Sequence, residues 1–585
     1  MCGIYAQVGK SVSAAEDIYQ GLKTLEYRGY DSWGIAVKSG PHIKIERHIG
    51  KITETRVSLP ESHIGIGHTR WATHGGVTEY NAHPHLDCLG RIALVHNGIV
   101  ENYQELKTML LEKKHKFNTE TDSEVITHLI EERAKTEDIQ TAVFNAFNQL
   151  EGSNAICVLD KVSESIIACR NGSPLTVGLG KNEYYLASDV TAYLHKTKKT
   201  IYINNKQSIV LTAKGVFLYD LVTLQPIVPK IETIDWQVEE AQKGGYAHFL
   251  LKEIMEQPKT ILKTTKINEK EIKQIAQKIK NCRLAIIGCG SAYFCALAGQ
   301  YFFADRNINC NAFGAYEFAP FAKFYGNKTI TIAISQSGET ADTIEAGKTA
   351  KDNGSYLIAL VNARGSTLER MADLVIPVSA GPEIAVVSTK AFTAQLAILY
   401  LIAEAAVDKY TQARQHLEKM SMELERNFTS KINADLIKLV KKIINHNDIY
   451  LIGKHLNYPA AMEFALKIKE TSYIHSEAFA SGELKHGVIT LIQKGTPCIV
   501  LASSDKTQKE ILSSASELKA RGGLIIGVAP FEAAEFDYQI KTPDLGKLTV
   551  FPNIIVGQLL GYYLGIGRGA DPDKPRNLAK SVTVK

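Results

Sequence analysis

Residues 283–340 and 448–505 share one grammar: a short apolar strand runs directly into a glycine- or serine-rich loop that opens a helix. Leu284-Ala285-Ile286-Ile287 ends in Gly288-Cys289-Gly290-Ser291, and Ile449-Tyr450-Leu451-Ile452 ends in Gly453. Strands of this kind recur at Thr329–Ile334, Ser355–Val361 and Asp373–Pro377, then at Pro497–Ala502 and Gly523–Ala529. Apolar strands that alternate with helices build parallel sheets covered on both faces. Gly288 and Gly453 lie roughly 165 residues apart, too far for a solenoid period and suited to a duplicated domain. Two tandem α/β domains follow.

The preceding residues read differently. Gly65–His68, Arg91–Val95, Asn154–Leu159, Ser165–Ala168 and Ser208–Leu211 are short strands divided by Gly, Asn, Asp and Ser turns. Ile18–Tyr27 and Tyr103–Glu112 have helical patterns, and Thr121-Asp122-Ser123-Glu124 opens a helix over Val125–Arg133. This is an α+β domain with sheets packed face to face or against helices. The expected organisation is a domain over 2–229, a polar linker over 230–245, α/β domains over 246–415 and 416–568, and a tail over 569–585 that composition alone makes mobile.

A chain of 585 residues exceeds one core. The charge of +5 is small for that length, and no basic run tracks a phosphate backbone, so no nucleic-acid partner is expected. Nine scattered cysteines without a C-x-x-C pair point away from a disulfide framework or a cysteine zinc site and toward a reducing cytosol. There is no signal peptide pattern, and the apolar run Ala391–Val407 is broken by Thr393, Gln395 and Glu404, so it reads as a buried helix and not a membrane span.

Three constellations carry candidate chemistry. The first begins at Cys2. Removal of the initiator methionine would leave a thiol and a free α-amino group on one residue, a nucleophile with its own base. Arg70 can grip a carboxylate by two parallel hydrogen bonds, Asp122 can hold an α-ammonium, and Asn97 with the Gly98 N–H can face an oxyanion. Singly, each has a plainer reading: a surface arginine, a helix cap, a hairpin turn. Five histidines (His68, His74, His83, His85, His96) raise a metal site, against which the extended His-Pro-His and the lack of an intervening acid argue. The second constellation, Ser335-Gln336-Ser337-Gly338-Glu339-Thr340, lies between strand and helix and suits a sugar phosphate or, equally, an ordinary capped helix. It lacks the glycine of a nucleotide-binding P-loop, and Gly288-Cys289-Gly290 lacks the third glycine of a dinucleotide fingerprint. In the third, a helix over Pro459–Glu470 places Glu463, Lys467 and Glu470 on one face, as an acid/base set or a salt-bridged surface.

Taken with Tyr27–Ser32, His68–Gly75, Asn81–His85, His96–Gly98, Glu120–Asp122, Ser388–Phe392, Lys467–Glu470, Gly482–Gly487 and Arg576–Val584, the chain resembles the glutamine:fructose-6-phosphate aminotransferase (isomerizing) family, the glucosamine-6-phosphate synthases, from end to end. The resemblance implies an αββα N-terminal-nucleophile glutaminase domain followed by two sugar isomerase (SIS) domains with parallel sheets. It implies conversion of fructose 6-phosphate and glutamine to glucosamine 6-phosphate and glutamate, the first step toward UDP-N-acetylglucosamine, in a cytoplasmic homodimer with no cofactor, metal, nucleic acid or membrane. Cys2 would form a thioester with glutamine, which Arg70, Thr73, His74, Gly75 and Asp122 would bind; Asn97 and Gly98 would form the oxyanion hole and Trp71 would gate a dry ammonia passage. In the synthase half, Ser335, Gln336, Ser337 and Thr340 would bind the phosphate, Ser388 with the Val386 backbone the sugar, and Ser291 would also contact the substrate. His486, from the neighbouring subunit, would open the ring, Lys580 would form a Schiff base, and Glu470 with Lys467 would move a proton between C1 and C2. One departure stands out: the family's Thr-Ser-Tyr is Ser291-Ala292-Tyr293 here, so one hydroxyl is missing. It leaves room for another keto-sugar phosphate as acceptor. A sugar-phosphate-binding regulator, the alternative from another class, would have no use for Cys2 or Lys580.

Overall fold

Strand Gly3–Gly9 is buried along its whole length, and its side chains divide by parity. Ile4, Ala6 and Val8 enter one apolar core, while Tyr5 enters another with Ile18 and Leu22 of the helix Ala14–Leu25. A strand covered on both faces reads as largely apolar at both parities, and its one polar side chain, Gln7, donates to Asp17 at 3.1 Å. The computed structural model describes residues 2–52, 57–234, 243–428 and 430–583. They form two units, Met1–Val238 with Ala579–Lys585, and Glu239–Leu578.

In the first unit an 8-stranded and a 7-stranded antiparallel sheet lie face to face. Ala93 and Val95 of strand Ile92–Gly98 meet Ile4, Ala6 and Val8 between the sheets. Ile92 and Leu94 of the same strand turn outward to the helices Tyr103–Glu112, Glu124–Arg133 and Ile139–Phe147. The order is helix, sheet, sheet, helices: the expected αββα arrangement. Gly67 makes the first helix fit, since a Cβ there would lie 2.4 Å from Ile18 Cγ2. The unit extends past the expected boundary at 229, because Glu232–Thr233 pairs with Lys199–Tyr202. Half of the expected linker, 235–242, lies outside the described residues.

The second unit holds two parallel 5-stranded sheets with the same strand order, 2-1-3-4-5 in chain sequence. In one the strands are Arg283–Gly288, Cys310–Gly314, Thr329–Ser335, Tyr356–Val361 and Leu374–Pro377; in the other they are Asp448–Gly453, His475–Ala480, Pro497–Leu501, Leu524–Ala529 and Tyr538–Lys541. The duplication read from the glycine spacing is therefore topological. Residue 415, the expected domain boundary, lies inside the helix Tyr410–Asn427, and a single apolar core runs from Leu250 to Leu564 across both modules. Ala391–Val407 is largely the buried helix Lys390–Ala405, as expected. Another stretch, Gly546–Gly567, is the one long and apolar enough among the described helices to cross a membrane, yet 83% of its window is buried within the fold. Its Gly557, where a Cβ would fall 2.4 Å from the Phe464 ring, lets it press against the helix Asn457–Ser472. The tail is not loose in this unit. Asp573 is buried, accepts hydrogen bonds from the Phe249 and Leu250 N–H groups at 3.0 and 2.8 Å, and through its carbonyl accepts one from Val386 N–H at 3.0 Å.

Candidate active sites

Strand register brings the first site together. Gly3 lies opposite Thr69 in the pairing of Gly3–Gly9 with Ile64–Arg70, so one step further back Cys2 meets the Arg70-Trp71 corner. The Trp71 N–H donates to Cys2 Sγ at 3.3 Å, and the Cys2 carbonyl accepts from Arg28 Nε and Asn97 Nδ2, each at 3.1 Å. Burial pushes the Cys2 thiol up, and the Trp71 N–H, Arg70 and Arg28 pull it back. Trp71, Thr73, Asn97 and Gly98 line the pocket that Cys2 faces, together with Ser173 and Thr583.

Asn97 and Gly98 do not form a hairpin turn; they end the strand Ile92–Gly98. Gly98 has φ +138°, and a Cβ there would fall 2.1 Å from the Ser153 carbonyl, so only glycine serves. Both Asn97 amide hydrogens are engaged, one by the Cys2 carbonyl and one by Ser188 Oγ at 2.8 Å. Asp122 is no helix cap either: its carboxylate accepts the Val100 N–H at 2.8 Å. Arg70 is buried, not a surface arginine, and its guanidinium holds the carbonyls of His74, Gly75 and Gly76. The turn that it grips is tied on its other side by Asn81 and Glu120, which exchange hydrogen bonds at 3.0 Å and hold Gly76. Thr73 and His74 are partners across 3.4 Å, and the half-buried His74 ring meets Tyr103 edge-on.

The other four histidines are a buried scaffold. His68 stacks on His83 at 4.2 Å, and His83 lies 4.3 Å from His85. His68 Nε2 contacts the His96 carbonyl and Asn97 Oδ1 at 2.9 and 3.1 Å, and His96 sits between Ser123 Oγ and Asn154 Oδ1 at 2.8 and 2.9 Å. Burial holds His68 and His85 down at about 3 and lowers His83 and His96. Neutral rings with hydrogen-bonded nitrogens position Asn97 between the sheets. Sequence reasoning did not single out Ser188, which accepts from both Asn97 and the Ile4 N–H. A serine distant in sequence carries no local signal for that task.

The second site lies within the second unit, where strand order reverses between Arg283–Gly288 and Thr329–Ser335, the place where open parallel sheets bind ligands. Ser335 Oγ accepts the Gly338 N–H at 2.9 Å and meets Thr340 Oγ1 at 3.1 Å, while Ser337 Oγ accepts the Glu339 N–H at 3.1 Å. These bonds curl Ser335–Thr340 ahead of the helix Ala341–Asp352. Gln336 and Ser337 are half-buried at the turn.

The helix Asn457–Ser472 carries the predicted face, with Glu463 and Lys467 buried and Glu470 half-buried. Lys467 Nζ lies 3.2 Å from Glu463 and 2.7 Å from Glu470, and donates to Ser291 Oγ at 3.1 Å and the Ser388 carbonyl at 3.2 Å. Ser291 in turn donates to Glu463 at 3.2 Å. Residues from three chain segments thus converge on one ammonium. Glu463 is fully buried, and burial with the nearby Glu470 charge outweighs Lys467 and pushes it up to about 7. The helix pattern places Glu463 in an acid/base set or on a salt-bridged surface, but spacing does not reveal its depth. Val386 and Ser388 sit on the segment that the Asp573 carbonyl and Glu383 hold. His486 ends the short turn Glu483–His486 and is exposed, while Lys580 falls in the first unit.

A cysteine-headed αββα unit followed by paired 2-1-3-4-5 parallel modules defines the class of N-terminal-nucleophile amidotransferases fused to sugar isomerase modules. Residues 68–195 match the glutamine amidotransferase domain family, and 278–405 with 442–534 match the SIS domain family. The chain is 40% identical over 604 residues to the glutamine--fructose-6-phosphate aminotransferase [isomerizing] of Thermococcus kodakarensis and 41% over 614 to that of Caldanaerobacter subterraneus subsp. tengcongensis, with 100% of each chain covered. The structure of the C-terminal domain of glucosamine-fructose-6-phosphate aminotransferase from Francisella tularensis aligns with a TM-score of 0.51 and 29% identity, covering 57% of this chain and 99% of that one. The chain belongs to the glutamine--fructose-6-phosphate aminotransferase (isomerizing) family.

Proposed function

We propose that this chain takes ammonia from L-glutamine and delivers it to D-fructose 6-phosphate, releasing L-glutamate and D-glucosamine 6-phosphate for amino-sugar synthesis in the cytoplasm. The observation that carries the reading is Cys2 Sγ held by the Trp71 N–H in a pocket bordered by Asn97 and Gly98. With Met1 removed, the Cys2 amine takes the thiol proton, the thiolate attacks the glutamine side-chain carbonyl, and the amine proton leaves with ammonia as the C–N bond breaks. Water then cleaves the thioester to glutamate. Asn97, turning one amide hydrogen from the Cys2 carbonyl, and the Gly98 N–H stabilise the oxyanion. Arg70, Thr73, His74, Gly75 and Asp122 bind the amino acid, with Arg70 acting also as the post that shapes the 74–76 turn. Trp71 gates the ammonia passage.

In the synthase half, Ser335, Gln336, Ser337 and Thr340 bind the phosphate at the helix start. Val386 and Ser388 orient the sugar. Ser291 meets the substrate from the polar cluster, His486 of a second copy opens the ring, and Lys580 forms the Schiff base. Glu470 takes the C1 proton and returns it at C2, with Lys467 as the neighbouring cation. Buried Glu463 fixes Lys467 in place. A homodimer is part of this reading because His486 is exposed in the single chain.

Ala292, in place of a hydroxyl-bearing residue, favours testing other keto-sugar phosphates as acceptors. Assays with glutamine alone, the sugar phosphate alone, and both together test the proposal, with competition among sugar phosphates to rank acceptors. Absence of an amino sugar phosphate product, or full glutamine-dependent activity in Cys2→Ala, defeats it.

A further inference from the structure

A second cluster in the first unit has no part in the chemistry above. Cys88 lies in the turn between strands His85–Leu86 and Ile92–Gly98, His115 follows the helix Tyr103–Glu112, and His128 and Glu131 sit three residues apart on the helix Glu124–Arg133. Cys88 Sγ is 3.6 Å from His128 Nδ1 and 3.9 Å from His115 Nδ1, and both imidazole Nδ1 atoms lie 3.0 Å from Glu131 Oε2. All four donor atoms fall within 4.8 Å of one another, the one such group among the described residues. Three of the four residues are buried. Tetrahedral zinc, with bonds of about 2.3 Å to sulfur and about 2.0 Å to nitrogen or oxygen, sets donor separations of roughly 3.3 to 3.6 Å. The cluster brackets those values before any adjustment.

The surroundings agree. Zinc-bound histidines as a rule give their other nitrogen to a carboxylate, which fixes the tautomer. Here His115 Nε2 lies 2.9 Å from Glu132, and His128 Nε2 lies 3.6 Å from Glu124. One thiolate and one carboxylate neutralise a divalent cation, and mixed sulfur, nitrogen and oxygen donors suit zinc. Four protein donors fill a tetrahedron with no position for substrate, which makes such a site structural.

The geometry points to a structural zinc site formed by Cys88, His115, His128 and Glu131. Binding displaces the Cys88 thiol proton to solvent and replaces proton-mediated contacts by four metal bonds. The clip joins the Cys88 turn to the helix Glu124–Arg133 and closes the chain segment that carries Glu120 and Asp122. It therefore braces the pocket wall from outside.

The test uses the full chain with zinc alone, titrated against a chromogenic chelator, and with cobalt(II) as a spectroscopic substitute. Expected are one zinc per chain, the visible bands of tetrahedral cobalt with a thiolate charge-transfer band, and a zinc-dependent rise in melting temperature. Cys88→Ser, a change at an exposed residue, should lower zinc affinity by roughly 100-fold or more and abolish the thiolate band. His128→Gln is the second variant, read by the same titration. Failure to compete with the chelator, octahedral cobalt spectra, or equal zinc affinity in the wild type and Cys88→Ser overturns the proposal and leaves a hydrogen-bonded histidine–carboxylate network.

Discussion

The two sites solve burial in opposite ways. Around Cys2, beside the buried Arg28, Arg70 and Asp122, four buried histidines are kept neutral and serve as hydrogen-bond fixtures. Around Lys467 the chain buries a charge and surrounds it with two carboxylates, a hydroxyl and a carbonyl. The first arrangement leaves one thiol as the reactive group, in keeping with covalent chemistry. The second creates a strong local field at the place proposed above for taking a proton from carbon and returning it. If the contrast is right, the two sites should fail separately when their central residues are replaced.

The largest effect is expected at Cys2. Cys2→Ala should lower glutamine hydrolysis and glutamine-dependent synthesis by roughly 10⁴-fold or more, because the nucleophile has no substitute. Synthesis from ammonium and the sugar phosphate should survive, measured by amino-sugar phosphate formation. Loss of the ammonium reaction as well would show that the sites are not separable. Next comes Glu470→Gln, which should reduce amino-sugar formation by about 10² to 10⁴-fold, the usual worth of a positioned acid/base. Glutaminase turnover with sugar phosphate present is the control, and an equal loss there would remove Glu470 from the synthase chemistry.

The same contrast explains what the sequence could disclose. Repeating strand–loop–helix grammar announced the duplicated modules because parallel strands are apolar throughout and their loops need glycine or serine. Short or mixed strands such as Cys310–Gly314, His475–Ala480 and Tyr538–Lys541 were missed, since each is an edge strand or next to a turn and is recruited by its neighbours. The helix face of Glu463, Lys467 and Glu470 followed from spacing, but the burial of Glu463 and Lys467 did not, because charged residues three and four apart mark a solvated surface more often. Cys88, His115, His128 and Glu131 are spread over 44 residues, and although His128 and Glu131 are three apart on one helix, only folding brings Cys88 and His115 to them. The tail's polar composition suggested mobility, and the buried Asp573 that caps a helix start was invisible there.

A calorimetric pH series probes the contrast at lower energy. Glu463 is raised from 4.5 to about 7 when folded, so the folded state binds the extra proton. Its contribution is full below about 4.5 and disappears as pH rises through 7, a change on the order of 3 kcal/mol in the second unit. His68 and His85 are lowered from 6.5 to about 3, so the unfolded chain binds the extra protons. Their contribution is present above about 6.5 and is lost as pH falls toward 3, on the order of 5 kcal/mol for each ring in the first unit. The two melting transitions should therefore shift in opposite directions between about pH 4.5 and 6.5. Glu463→Gln, which mimics the neutral acid, should flatten the second transition's slope alone. Parallel slopes in the wild type would refute the contrast.

The smallest effect is expected at Ser188, where the neutral scaffold meets the thiol site. Its hydroxyl accepts from the Ile4 N–H and from Asn97 Nδ2, each at 2.8 Å. Ser188→Ala removes one acceptor from two buried donors, which costs about 1 to 3 kcal/mol. The Asn97 amide then loses the fixed point that aims its other hydrogen at the Cys2 carbonyl. Glutaminase kcat should fall about tenfold with KM little changed, since an oxyanion donor acts on the transition state more than on bound glutamine. Synthesis from ammonium should remain at the wild-type rate. A rise in KM at constant kcat would place Ser188 and Asn97 in ground-state binding, and the oxyanion assignment of Asn97 would have to be abandoned.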